Sequence, residues 1–142
     1  MSVSMILAQK GNDVFTVTSQ STLSTAIDLL AKQKIGAVVV LNTNNEVCGI
    51  LSERDIVREI SNVGASALDN EVSQCMTAKV VSCDRHETID GVMEKMTAGR
   101  FRHLPVLEDG KLAGLISIGD VVKVKIEQAE HDTQEMKRYI SG

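Results

Sequence analysis

Aromatic side chains are nearly missing from this chain of 142 residues: it has no Trp, and Phe15, Phe101 and Tyr139 are the whole set. Recognition of single-stranded nucleic acid by stacked bases needs exposed aromatic platforms, so that class of function is set aside. An excess of positive charge is missing too. Fifteen Lys and Arg against nineteen Asp and Glu give a formal charge of −4, so no whole-chain field draws in polyanions and any basic site must be local. The three cysteines, Cys48, Cys75 and Cys83, are odd in number and lack the CxxC or Cys/His spacing of zinc sites. Cys48 lies in an apolar run and reads as a small core residue. There is no run of about eighteen apolar residues to span a bilayer. The opening MSVSMILAQKGND has no basic stretch ahead of its short apolar one, which makes a poor signal peptide. The expectation is a soluble protein of a reducing, cytoplasmic compartment, with neither nucleic acid nor membrane as partner.

What is present is aliphatic. Apolar residues make up 43% of the chain and charged ones 24%, a composition that folds around Val, Ile, Leu, Met and Ala. The length leaves room for one domain, or for two very small ones that share a core. A repeat decides between them. Residues 14–41 align with 80–107, and residues 46–57 with 111–122, the one-residue change falling where a turn can absorb it. Val14/Val80, Thr22/Thr88, Val40/Val106, Leu41/Leu107, Gly49/Gly114, Ser52/Ser117 and Asp55/Asp120 are identical in this register, and residue type is kept at most positions between.

Each copy reads as strand, helix, strand, turn, strand, helix. In the first, Asp13 to Thr18 is β-prone, Thr22 caps a helix reaching about Lys34, Ala37 to Leu41 is a buried strand, and Val47 to Leu51 returns after an Asn-rich turn. The second copy has Val80 to Cys83, a helix from Thr88, Leu104 to Leu107, an Asp109-Gly110 turn and Leu112 to Ile116. Pro105 cannot donate to a ladder, so its strand lies near an edge or opens there. The last helix of each copy starts at Ser52 and at Ser117. The expected organisation is a unit over 8–62, a packed linker over 63–75, a second unit over 76–126 and a C-terminal helical extension over 127–142. Two such units bury enough surface only by packing on one another.

The segments Gly49-Ile50-Leu51-Ser52-Glu53-Arg54-Asp55 and Gly114-Leu115-Ile116-Ser117-Ile118-Gly119-Asp120 fall where a buried strand ends and a helix starts. Ser followed three residues later by Asp is a helix-start signature, in which both side chains satisfy free backbone amides. The same place suits a nucleotide. Free N–H groups and a Ser hydroxyl at a helix N-terminus can take a phosphate, an Asp one turn on can accept from the two hydroxyls of a ribose, and Gly lets a flat ring approach the backbone. The sequence leaves both readings open, and the duplication brings the second level with the first.

With Arg102-His103-Leu104-Pro105-Val106 and the Met76-Thr77 opening of the second copy, these segments resemble a tandem pair of CBS domains, the Bateman module, of the bacterial stand-alone kind. The resemblance covers residues 5 to about 125. It implies an α+β fold of two β-α-β-β-α units related by a pseudo-twofold axis, packed through their sheets, with a C-terminal helix. It also implies regulatory binding of AMP, ADP or ATP, or NAD(H), in clefts between the units, without catalysis or a catalytic cofactor. Carried over by motif, Asp55 and Asp120 would hold ribose hydroxyls and Ser52 and Ser117 phosphate. Backbone at Thr16, Val17 and Thr18 with Ala37, Val38 and Val39 would line one adenine pocket. Backbone at Ser82, Cys83 and Asp84 with His103, Leu104 and Pro105 would line the other. Arg54, Arg100, Arg102 and His103 are the basic groups near the clefts. The first copy departs from the pattern, with Gly36-Ala37-Val38-Val39 where the second has Arg102-His103-Leu104-Pro105, so the clefts should be unequal.

Other features fit less chemistry. His103 has no nucleophile or carboxylate fixed beside it by sequence, so a small hydrolase is disfavoured. His86 and His131 read as solvated, and Met93 and Met96 as core. Val122, Ile126, Ala129, Thr133, Met136 and Ile140 form a narrow apolar stripe fit for a partner helix. A homodimer of CBS pairs is the expectation drawn from it, with an unknown regulated protein as the further partner. The rival function is an interaction adaptor with vestigial clefts that works through this C-terminal helix.

Overall fold

The computed structural model describes residues 1–141; residue 142, the last of the expected extension, lies outside them. The chain begins with a helix, α1 (Val3–Lys10), followed by β1 (Thr16–Thr18), α2 (Leu23–Gln33), β2 (Ala37–Leu41), β3 (Val47–Ser52) and α3 (Glu53–Val63). Two 3-10 turns, Ala65–Asp69 and Val72–Gln74, lead to α4 (Ile89–Gly99), β4 (His103–Glu108), β5 (Lys111–Ser117) and α5 (Ile118–Ser141). The mixed α+β class and the long C-terminal helix are as the sequence leads one to expect.

The repeat holds at the level of single hydrogen bonds. Thr22 and Thr88 both cap their helices, accepting from Thr25 N–H and Gly91 N–H. Those helices both end on a residue with φ 55°, Lys34 and Arg100. The Glu53 amide donates to the Gly36 carbonyl and the Ile118 amide to that of Arg102. β2 and β3 pair antiparallel with Val40 opposite Gly49, and β4 and β5 pair with Val106 opposite Gly114, each with a bulge just after. The one-residue change falls in the hairpin turn: Leu41 pairs with Val47, and Leu107 with Leu112.

The units differ at their first strand. In the first, β1 lies parallel to β2, and the Val39 amide donates to the Phe15 carbonyl. In the second, the expected strand Val80–Cys83 reduces to a single bridge from Cys83 to Val106. Pro105 stands where Val39 stands in the first unit and has no N–H for the Val81 carbonyl. The next carbonyl, that of Ser82, takes a bond from Lys95 Nζ at 3.0 Å.

Two cores result, and the chain crosses between them. One gathers Val17, Leu23, Leu30, Val38, Val40, Leu51 and Ile56 together with Ala67, Val72 and Cys75, so the linker belongs to the first unit's core. The other gathers Ile89, Val92, Met96, Leu104, Val106, Ile116, Val121 and Val124 with Val3, Ile6 and Leu7. α1 precedes the first unit in sequence and packs in the second. The backbone bonds Val3 N–H to Glu87 O and Ile89 N–H to Met1 O fix it there.

Candidate functional site

β3 delivers Ser52 to the start of α3. Ser52 accepts the Asp55 amide at 3.3 Å, and the Asp55 carboxylate accepts the Ser52 amide at 3.0 Å, so two free donors of the helix start are satisfied reciprocally. The capping reading is therefore correct, and it does not exhaust the residues. Asp55 is only 5% exposed, and its carboxylate also takes the Thr77 hydroxyl at 3.2 Å and an Arg58 guanidinium nitrogen at 3.4 Å.

Ser52 and Asp55 open onto a cavity of about 550 Å³ between the units. Ile50, Glu53, Arg54 and Arg58 line it from the first unit, Thr77, Lys79, Val80 and Val81 from the stretch before α4, and Arg100, Phe101, Arg102, His103 and Pro105 from the second. Five permanent cations thus face two carboxylates, a local field that accepts a polyanion in a chain of net negative charge. The basic corner of the second unit serves the helix start of the first. Gly36 lies beside that corner, where a Cβ would make ordinary contact with the His103 ring at 3.5 Å.

His103 lies between the units, and burial, then the nearby Lys10 charge, hold its imidazole below the usual value of 6.5, against the pull of Glu53 and Asp120. It is neutral at pH 7 in the ligand-free protein. Burial, with Glu59 and Asp55 nearby, pushes the Cys75 thiol up to about 11. Burial and Glu87 push Cys83 up to about 12, so neither is a thiolate at neutral pH. Among the described residues no group of three or more His, Cys, Asp or Glu is placed to hold a metal ion.

Of the residues singled out by sequence, Ser52, Arg54, Asp55, Arg100, Arg102, His103 and Pro105 meet on this cavity. Thr16, Val17, Thr18, Ala37, Val38, Val39, Ser82, Cys83, Asp84, Leu104, Ser117 and Asp120 lie outside its lining. Ala37, Val38, Val39 and Leu104 are buried in β2 and β4, and the Asp84 amide is bound by Glu87 at 2.8 Å. The glycines of the motif serve a different neighbour from a flat ring. A Cβ at Gly49 would run into the Met76 sulfur, and one at Gly114 would fall 2.6 Å from Leu7 Cδ2, so both make room for the protein's own side chains. Val80 and Val81 went unassigned because they read as the start of a strand, and Lys79 because it stands just ahead of it; the signal was Lys79 standing opposite Asp13 in the repeat.

Two helix starts of the same design, on two units packed about one cavity, define a tandem module of two like units. A family model described as the CBS domain matches residues 9–62 and again 72–127, and the chain belongs to that family. A CBS domain-containing protein of Arabidopsis thaliana, CBSX3, mitochondrial, is 31% identical over 129 residues, which are 88% of this chain and 63% of that one. The chain thus spans less than two thirds of that relative. The crystal structure of the CBS-domain containing protein ATU1752 from Agrobacterium tumefaciens superposes with a TM-score of 0.85 at 48% identity, covering 87% of this chain and 92% of that one. The CBS domain pair of protein MJ0100, solved in complex with 5′-methylthioadenosine and S-adenosyl-L-methionine, shares the fold with a TM-score of 0.80 at 20% identity, over 90% of this chain and 98% of that one.

Proposed function

We propose that the chain is a regulatory adenine-nucleotide-binding module rather than an enzyme, taking AMP, ADP or ATP, or NAD(H), in the cleft between its units. The observation that carries this is the cavity at the Ser52–Asp55 helix start, rimmed by Arg54, Arg58, Lys79, Arg100 and Arg102. In this reading Asp55 accepts from the ribose diol, and Arg58, the exposed partner in their 3.4 Å ion pair, turns to the phosphates. Arg54, Arg100, Arg102 and Lys79 complete the phosphate field, and Ile50, Val80 and Val81 offer an apolar wall for the base. A fold neighbour solved with two adenosine compounds supports the ligand class. Calorimetry with AMP, ADP, ATP and NADH tests it: saturable heat that Asp55→Asn weakens is expected, and no heat with any of the four removes the idea.

The module acts, in this proposal, as a cytoplasmic homodimer that passes ligand state to an unidentified regulated protein. Val122, Ile126, Met136 and Ile140 are all exposed on α5, and Val57, Ile60 and Val63 on α3, which supports a partner for those faces. The same exposure supports the adaptor reading. Partners captured through α5 and lost in Ile126→Asp, with no ligand response, would favour the adaptor over the sensor.

A further inference from the structure

By the repeat, a second cleft would stand at Ser117 and Asp120, and the two helix starts are not in the same condition. The Asp120 carboxylate accepts the Ser117 amide at 2.8 Å, as its counterpart accepts that of Ser52. Where Asp55 meets an open cavity, Asp120 meets Lys10. The Lys10 ammonium donates to Asp120 Oδ2 at 2.8 Å and to the Leu115 carbonyl at 2.8 Å. Burial alone would raise the Asp120 pKa; the Lys10 hydrogen bond and charge, with the Ser117 amide and hydroxyl, outweigh it and hold the group below the usual carboxylate range.

Lys10 is not on a loose arm. It ends α1, whose Val3, Ile6 and Leu7 are buried in the core of the second unit. Three of the five cations that rim the first cleft have no match in the second, while Arg58 and Arg100 are matched by Lys123 and Lys34. By the repeat, Arg54 is replaced by Gly119, Arg102 by Gly36, and Lys79 by Asp13. Three positive charges are gone and one has become negative, so the field that would meet a phosphate chain there is weaker.

We infer that Lys10 is a built-in occupant of the second cleft, its ammonium taking the Asp120 acceptor that a ribose diol would use, so that one chain takes one nucleotide, at Asp55. This rests on the nucleotide reading above and adds its stoichiometry and its asymmetry. Asp120 is then a positioning residue that holds α1.

Calorimetry of the full chain with AMP and ATP, alongside thermal melts, decides it. One nucleotide per chain is expected. Asp120→Asn should keep one binding event while lowering the melting temperature. Two nucleotides per chain, or loss of a binding event in Asp120→Asn, overturns the inference. If no nucleotide gives heat, the nucleotide reading falls and the melts judge the occupancy alone. Lys10→Met and Asp120→Asn should then lower the melting temperature less than additively in the double variant, and fully additive losses overturn it.

Discussion

Asp55 performs two tasks with one carboxylate, and its variants should separate them. Asp55→Asn keeps the size and loses the charge that accepts the Ser52 amide, the Thr77 hydroxyl and Arg58. The expected cost is about 1 kcal/mol in urea unfolding from the weakened cap, with at least about a tenfold loss of nucleotide affinity in calorimetry, since a hydrogen bond to a charged group contributes more. His103 makes stability depend on pH. Its pKa in the folded protein is lowered from 6.5, so the unfolded chain takes up the proton first. The stabilisation from keeping it neutral is complete above about 6.5 and is lost as pH falls from there through the lower folded-state value. Urea midpoints measured from pH 7.5 down to 5.5 should drop, and His103→Gln should flatten that drop. The motif residues were legible in the sequence because their spacing is local. Lys10 was not, because its partner Asp120 is 110 residues away and a lone lysine at the end of a helix carries no spacing signal.

Among the elements, the missing first strand of the second unit shapes the cleft. Pro105 withholds one ladder bond, that to the Val81 carbonyl, and Lys79, Val80 and Val81 line the cavity. Pro105→Val restores the donor that Val39 supplies in the first unit. The variant should gain a strand over 80–83, visible as slowed amide exchange there, and bind nucleotide more weakly as the cavity narrows. Sequence reasoning placed a strand at Val80–Cys83 by β-propensity and separately noted that Pro105 would open its ladder. The second observation outweighs the first, because a lost ladder bond acts on both strands while propensity is a weak prior. The helices α2, α3 and α4 were legible, since Thr22, Ser52 and Thr88 announce their starts by capping chemistry alone, whereas α1, whose Ser2 makes no side-chain cap bond, was not read as a helix. Which unit α1 would join was not legible: its apolar face fits any core, and only tertiary packing chooses.

For the whole molecule, ligand binding and folding are linked. A nucleotide at about a hundred times its Kd adds about 2.7 kcal/mol by mass action, expected as a rise of several degrees in melting temperature. That rise should shrink in high salt as the field of Arg54, Arg58, Lys79, Arg100 and Arg102 is screened. The apolar residues left exposed on α3 and α5 predict self-association. Ile126, 54% exposed in the single chain, should tolerate Asp with little change in monomer stability, while sedimentation shifts from dimer to monomer.

The exchange of segments between the two cores also sets an order of events in the cell. Lys10 leaves the ribosome 105 residues before Leu115, whose carbonyl it holds, and α1 emerges long before Ile116, Val121 and Val124 exist to receive it. The first unit can gather its core once the linker has been made, while α1 waits undocked with Ile6 and Leu7 bare. Folding therefore includes a late closing step, in which α1 docks on a unit made well after it.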